Sequence, residues 1–227
     1  MTTVRVERFS DSPLVESVTE IHYDEPTREW STPDGRWELV VLRSRGKTIV
    51  LQTGLISRPV LLENAAGDSL LAISFKPGVF APCAPGATML DRALVRPLVT
   101  ARSFAIDGEA LEIPTFESAD QLVQRLATKG ILSCDELVES AARGEPRAIS
   151  PRSMQRHFMT ALGMTPKQFE QIQRACRAVD LLRGGMTPSA VAHEAGYSDQ
   201  PHLTRALRSI MGQTPAAIVR EKMGAAR

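Results

Sequence analysis

One segment of the chain occurs twice. Ser150-Pro151-Arg152-Ser153-Met154-Gln155-Arg156-His157-Phe158 runs on to Gly163-Met164-Thr165-Pro166. About 49 residues later, Asp199-Gln200-Pro201-His202-Leu203-Thr204-Arg205-Ala206-Leu207 runs on to Gly212-Gln213-Thr214-Pro215. Each copy opens on a helix-capping residue closely followed by Pro and ends on Gly, which predicts a short helix in both places. In the second copy Leu203, Leu207 and Ile210 fall at i, i+4 and i+7 and face a core, leaving Pro201, His202, Arg205 and Arg208 on the other side. In the first, Met154, Phe158 and Leu162 turn inward, and Arg152, Gln155, Arg156 and Met159 turn outward. Arg forks can pair with guanine and Gln can pair bidentately with adenine, so both outward faces have the chemistry of base reading.

Each copy has a candidate partner helix upstream. Thr187-Pro188-Ser189-Ala190-Val191-Ala192-His193-Glu194-Ala195-Gly196-Tyr197 supplies a short helix with a Gly turn and completes a helix-turn-helix. Asp135 to Ala142 plays that part for the first copy, across a longer connection through Gly144-Glu145-Pro146-Arg147. Between the units, Phe169, Ile172, Ala175, Val179 and Leu182 recur at helical spacing over about Pro166 to Arg183, a rod of roughly 27 Å at 1.5 Å per residue. Such a rod can hold two recognition helices near one DNA turn apart, about 34 Å. Ser118 with Gln121 and Ser133 with Glu136 read as capping boxes opening two more helices, the first stopped by Gly130. Ser150-Pro151, Thr165-Pro166, Thr187-Pro188 and Thr214-Pro215 read as four further starts, so six or seven helices should fill residues 115–227.

The first half carries a different pattern. Trp37 to Leu42, Thr48 to Leu51, Val60 to Leu62 and Leu70 to Phe75 are β-like runs separated by Asp34-Gly35, Arg45-Gly46 and Gly67-Asp68. Residues 1–114 are therefore expected to form an antiparallel β sandwich or barrel, cupin-like in architecture, giving an α+β chain with an all-α domain over 115–227. Trp30 and Trp37 should lie in a core or a domain interface.

Charge divides along similar lines. Residues 1–146 hold 15 Lys and Arg against 21 Asp and Glu, whereas residues 147–227 hold 12 against 5. A basic segment on an acidic body points to nucleic-acid contact at that end. The three cysteines, Cys83, Cys134 and Cys176, form neither a CxxC pair nor a disulfide framework. Charges in Met1-Thr2-Thr3-Val4-Arg5 occupy the place where a signal peptide needs an apolar stretch, and no apolar run approaches the ~20 residues that span a bilayer. A cytoplasmic protein without membrane contact is expected.

At Ala195-Gly196-Tyr197-Ser198-Asp199-Gln200-Pro201-His202-Leu203-Thr204-Arg205, continuing through Gly212-Gln213-Thr214-Pro215, the sequence resembles the AraC/XylS family of bacterial transcription regulators. The resemblance extends less tightly over residues 131–220. It implies two helix-turn-helix units joined by a long helix, double-stranded DNA as partner, and no catalytic role. By resemblance the groove-facing residues are Arg152, Gln155 and Arg156 in the first unit and Gln200, His202 and Arg205 in the second. Trp37-Glu38-Leu39-Val40-Val41 and Ile73-Ser74-Phe75-Lys76-Pro77-Gly78 look like the family's β-rich domain, which implies binding of a small-molecule effector or formation of a homodimer.

Other readings are weaker. His193-Glu194 lacks the second His of a HExxH zinc site, since Tyr197 stands there. Cys83, in Pro82-Cys83-Ala84-Pro85, resembles the alkyl-accepting cysteine of DNA-repair methyltransferases, but with no adjacent His to activate it a loop-packing role is expected. The main alternative is a cupin-type metal-dependent enzyme fused to a helical domain. Such a centre needs two or three His ligands plus a carboxylate, and outside the helical half only His22 is present, so neither a metal nor another cofactor is expected.

Overall fold

The computed structural model describes residues 3–145 and 148–225, with side chains described through Arg220. Pro146 and Arg147, in the connection expected to be lengthened, lie outside the described residues. The first half is built on a six-stranded antiparallel sheet in the order β1 (Val4–Phe9), β2 (Val15–His22), β7 (Ser69–Phe75), β4 (Glu38–Ser44), β5 (Lys47–Thr53), β9 (Ala93–Arg96). Central β7 buries Leu71 through Phe75 without interruption, as a strand covered on both faces must. Val41 of β4 sits opposite Leu71 on one side and Val50 of β5 on the other, so β-branched and Leu side chains stack across the strands. Arg45 and Gly46 both have positive φ, 51° and 74°, which makes the two-residue turn whose twist suits the β4–β5 hairpin.

A three-stranded antiparallel sheet, β10 (Leu98–Thr100), β11 (Ser103–Ile106) and β12 (Glu109–Glu112), supplies Phe104, Ile106 and Leu111 to the same core. Two ribbons complete the β structure, β3 (Thr27–Ser31) with β6 (Val60–Asn64), and β8 (Val79–Phe80) with β13 (Ser133–Cys134). Trp37 is buried as expected, stacked on Phe75 at 3.9 Å and donating its indole N–H to the Val79 carbonyl at 2.7 Å. Trp30 is not. It is 46% exposed, because β3 pairs only with β6, whose Val60, Leu61 and Leu62 are also exposed.

The second half is helical: α2 (Ala119–Thr128), α3 (Glu136–Ala142), α4 (Pro151–Leu162), α5 (Pro166–Arg183), α6 (Pro188–Glu194), α7 (Gln200–Met211) and α8 (Pro215–Ala225), after a single turn, α1 (Gly86–Met89), in the β half. Ser150, Thr165, Thr187 and Thr214 accept hydrogen bonds from the third residue of their helices, and Thr165 forms a full capping box with Gln168. Two expected boxes are absent. The Ser118 hydroxyl accepts instead from the Thr115 backbone N–H at 2.9 Å and makes no cap bond. Ser133 is paired into β13 opposite Phe80, so Asp135 caps α3, its carboxylate accepting from Leu137 and Val138.

Apolar packing runs across residue 114. One core joins Val18, Ile73 and Phe75 of the sheet to Leu122, Val123 and Leu126 of α2, Val138 of α3, Phe158 and Leu162 of α4, and Phe169 and Ile172 of α5. A second core begins at Ala175 on the same helix and gathers Val179, Leu182, Val191, Tyr197, Leu203, Leu207 and Ile218. The first helical unit is thus packed into the β half, and α5 belongs to both cores.

Candidate nucleic-acid interface

In the second unit, Asp199 starts α7 by accepting the His202 backbone N–H at 2.6 Å, and Gly212 at φ 71° ends it in the left-handed conformation that favours glycine. Leu203, Leu207 and Met211 are buried, and this sets the opposite face of the helix outward: Gln200, Pro201, Arg205 and Arg208 are exposed. His202 is half-buried. Its ring meets the Tyr197 ring edge-on at 5.2 Å, and its Nδ1 receives the Ser198 hydroxyl at 3.0 Å and the Ser198 backbone N–H at 3.4 Å. A backbone N–H can only donate, so Nδ1 is the acceptor and the neutral ring carries its proton on Nε2. His202 therefore offers a hydrogen-bond donor and also braces the turn before α7.

The first unit repeats this construction. Ser150 and Pro151 start α4, Gly163 at φ 74° ends it, and Phe158, Ala161 and Leu162 are buried. Arg152, Gln155 and Arg156 are exposed. His157, the neighbour of Arg156, is half-buried and joins its Nδ1 to the Asp135 carboxylate at 2.6 Å. Asp135 thus caps α3 with one oxygen and holds α4 with the other, fixing the angle between the two helices. Sequence patterning had no means of finding this pair, since its partners lie 22 positions apart.

Arg156 and Arg205 occupy equivalent places in the two units, each two residues before the central buried side chain, Phe158 or Leu207. The structure sets all six expected groove residues on α4 and α7, five of them exposed and His202 half-buried. Among the described residues, Arg152, Arg156, Arg174, Arg177, Arg205 and Arg208 have no ion-pair partner within 4.0 Å; in the β half Arg8, Arg28 and Arg36 pair with Asp120, Glu63 and Glu16, while Arg43, Arg58 and Arg92 are also unpaired. A helical surface of uncompensated guanidinium groups is an electrostatic fit for a polyanion.

Elsewhere the chemistry is sparse. His22 stands exposed at the end of β2, 3.7 Å from Glu20. Cys83 is in a loop as expected, but exposed rather than packed. Among the described residues no helix is long and apolar enough to cross a membrane.

Two short helices in each unit, a second helix with an open polar face, and one long helix joining the pairs define a tandem helix-turn-helix domain. A family model described as "Helix-turn-helix domain" matches residues 147–221. The C-terminal region is a helix-turn-helix domain of the AraC type. Among curated proteins, the chain is similar to the HTH-type transcriptional regulator RipA of Corynebacterium glutamicum, 32% identical over 80 residues. That match covers 35% of this chain and 24% of RipA, about a quarter of the relative's length. The solved structure of ToxT from Vibrio cholerae aligns over 98% of this chain and 97% of its own, at 8% identity and a TM-score of 0.39.

Proposed function

We propose that this protein is a cytoplasmic, sequence-specific DNA-binding transcription regulator that places α4 and α7 in successive major-groove segments on one face of a duplex. The observation that carries the reading is the pair of equivalent exposed arginines, Arg156 and Arg205, on helices joined through α5. Arg152 and Gln155 on α4, and Gln200 and His202 on α7, complete the groove-facing set. Residues 115–227 are the DNA-binding part and residues 1–114 the sensing or dimerising part, with the shared core as the mechanical link between them. No catalytic role is proposed for any residue.

For the β half, two observations narrow the choice. The space lined by Trp37, Gln52, Phe80 and Ala161 is only about 10 Å³, room for at most a water. An organic effector would instead suit the open cleft of about 670 Å³ where the Asp34–Arg36 loop, the end of α3 and α5 meet. Exposed Trp30, Val60, Leu61 and Leu62 on the β3–β6 ribbon would suit a homodimer contact.

The test is site selection from a random-sequence duplex pool with the full-length protein. A defined, enriched motif of two half-sites spaced about one helical turn apart is expected. A folded protein that enriches no sequence would overturn the reading.

A further inference from the structure

Two recognition helices in successive major-groove segments leave the intervening minor groove, with a phosphate strand on either side, facing the helix that joins them. That helix is α5. Where its middle meets α7 there is a surface depression of about 340 Å³ lined by Gln171 and Arg174 from α5 and by His202, Arg205 and Ser209 from α7. Its lining contains hydrogen-bond donors and two guanidinium groups but no carboxylate; the wider cleft that it adjoins along α5, and with which it shares Arg174, includes Asp34, Glu170 and Asp180.

Arg174 is half-buried there and its guanidinium lies over the Tyr197 ring, 5.8 Å from the centroid. The aromatic face holds the planar group in place without neutralising it. Glu170, one turn upstream, makes no ion pair with it among the described residues, and Arg205 across the depression is equally uncompensated. Tyr197 is itself buried in the core of the second unit, so the platform under Arg174 is part of the fold.

We infer that this depression is a phosphate-binding site for the DNA backbone, with Arg174 as its anchoring cation, so that the connecting helix is itself a DNA contact and sets the register of α7 in the groove. The inference rests on the DNA-binding reading above. It assigns Arg174 a role distinct from Arg156 and Arg205: a phosphate contact is blind to sequence, whereas a base contact is not.

The experiment uses the full-length protein, a random-sequence duplex pool, and salt titrations of the parent, Arg174→Ala, Arg174→Lys and the remote control Arg28→Ala. Arg174→Ala should bind about tenfold more weakly at low salt. It should also show a shallower dependence of log affinity on log salt by roughly one charge, with unchanged base preference. Arg174→Lys should keep most of the salt slope, and Arg28→Ala should match the parent. Thermal melting of Arg174→Ala, which loses the contact with Tyr197, checks that the variant is folded. Parental affinity and slope in a folded Arg174→Ala would overturn the inference, and so would a shifted preference at one base position. If the parent shows no salt-dependent binding to the pool, the DNA-binding reading fails and this inference with it. Binding by the parent together with an unaffected Arg174→Ala removes only this inference.

Discussion

Gln173 on α5 donates its side-chain amide to the backbone carbonyl of Asp34, in the loop before β4, at 2.7 Å. The bond lies between Ile172, the last α5 residue in the core shared with the β half, and Ala175, the first in the core of the second unit. Three residues further along, Cys176 directs its thiol to the Pro33 carbonyl at 3.4 Å, and burial, followed by the nearby Asp34 carboxylate, pushes that thiol up to about 12. The connecting helix is therefore referenced to the β half at its midpoint, which gives that half a physical route to the position of α7.

Gly35 is the tightest point of this junction. It has a φ of 81°, and a Cβ there would lie 2.6 Å from both Gln173 Nε2 and a ring carbon of Phe169. Gly35→Ala is expected to cost about 1–3 kcal/mol, from backbone strain and overpacking together. Chemical denaturation of the full chain measures it, and a variant as stable as the parent would show that the loop moves freely from α5.

A second close approach joins the end of α4 to the β half. A Cβ on Gly163 would sit 2.2 Å from the Gly86 carbonyl oxygen, and Gly163 also has the positive φ that ends the helix. Gly163→Ala should destabilise the full chain by about 1–3 kcal/mol through clash and strain. The equivalent Gly212→Ala, whose Cβ would meet only the Pro59 side chain at 2.9 Å, should cost less. Parallel melting curves of the two variants would reveal the order.

Glu38 supplies a pH prediction. Burial raises its carboxyl above the ordinary range, against the opposing hydrogen bond that the Ser74 hydroxyl donates to it at 2.6 Å. An acid whose folded pKa is raised binds its proton more readily in the folded state, so its ionisation penalises folding above that raised pKa and the penalty fades as pH falls toward the unfolded value near 4. Glu38→Gln keeps an acceptor for Ser74 and removes the charge. It is expected to stabilise the protein at neutral pH, with the advantage over the parent shrinking on acidification. Denaturation midpoints of both proteins between pH 4 and pH 8 test this, and an advantage that grows toward low pH would refute it.

Arg156 and Arg205 should separate from Arg174 in the kind of binding they control. Replacing either with Ala is expected to cost about 1–3 kcal/mol at a selected site and to relax preference at one base position in the corresponding half-site. Competition against single-base variants of that site reads both quantities. Unchanged base preference in both variants would remove α4 and α7 from the groove.

The sequence alone determined the local content of this protein. Four Ser/Thr-Pro helix starts, two Gly stops and two apolar stripes were legible because capping and helical periodicity act over a few neighbouring residues. The β runs around Val41, Val50 and Ile73 were legible for the same reason, through alternation and turn residues. The exposure of Arg152, Gln155, Arg156 and Arg205 followed from the stripes, and Gln200 entered only through the family resemblance. Tertiary structure decided what depends on partners distant in sequence. It left Trp30 outside the core, since nothing in a strand's own residues says whether a second sheet will cover it. It moved the α3 cap from Ser133 to Asp135 by drawing Ser133 into a ribbon with Phe80, some fifty residues away. It turned His157 toward Asp135, laid Arg174 over Tyr197, and carried one core across residue 114 to Ile172. The charge step and the change from β to helical patterning mark a boundary in composition, but apolar surface is buried wherever it meets other apolar surface, and the fold brought α2, α3 and α4 against the sheet.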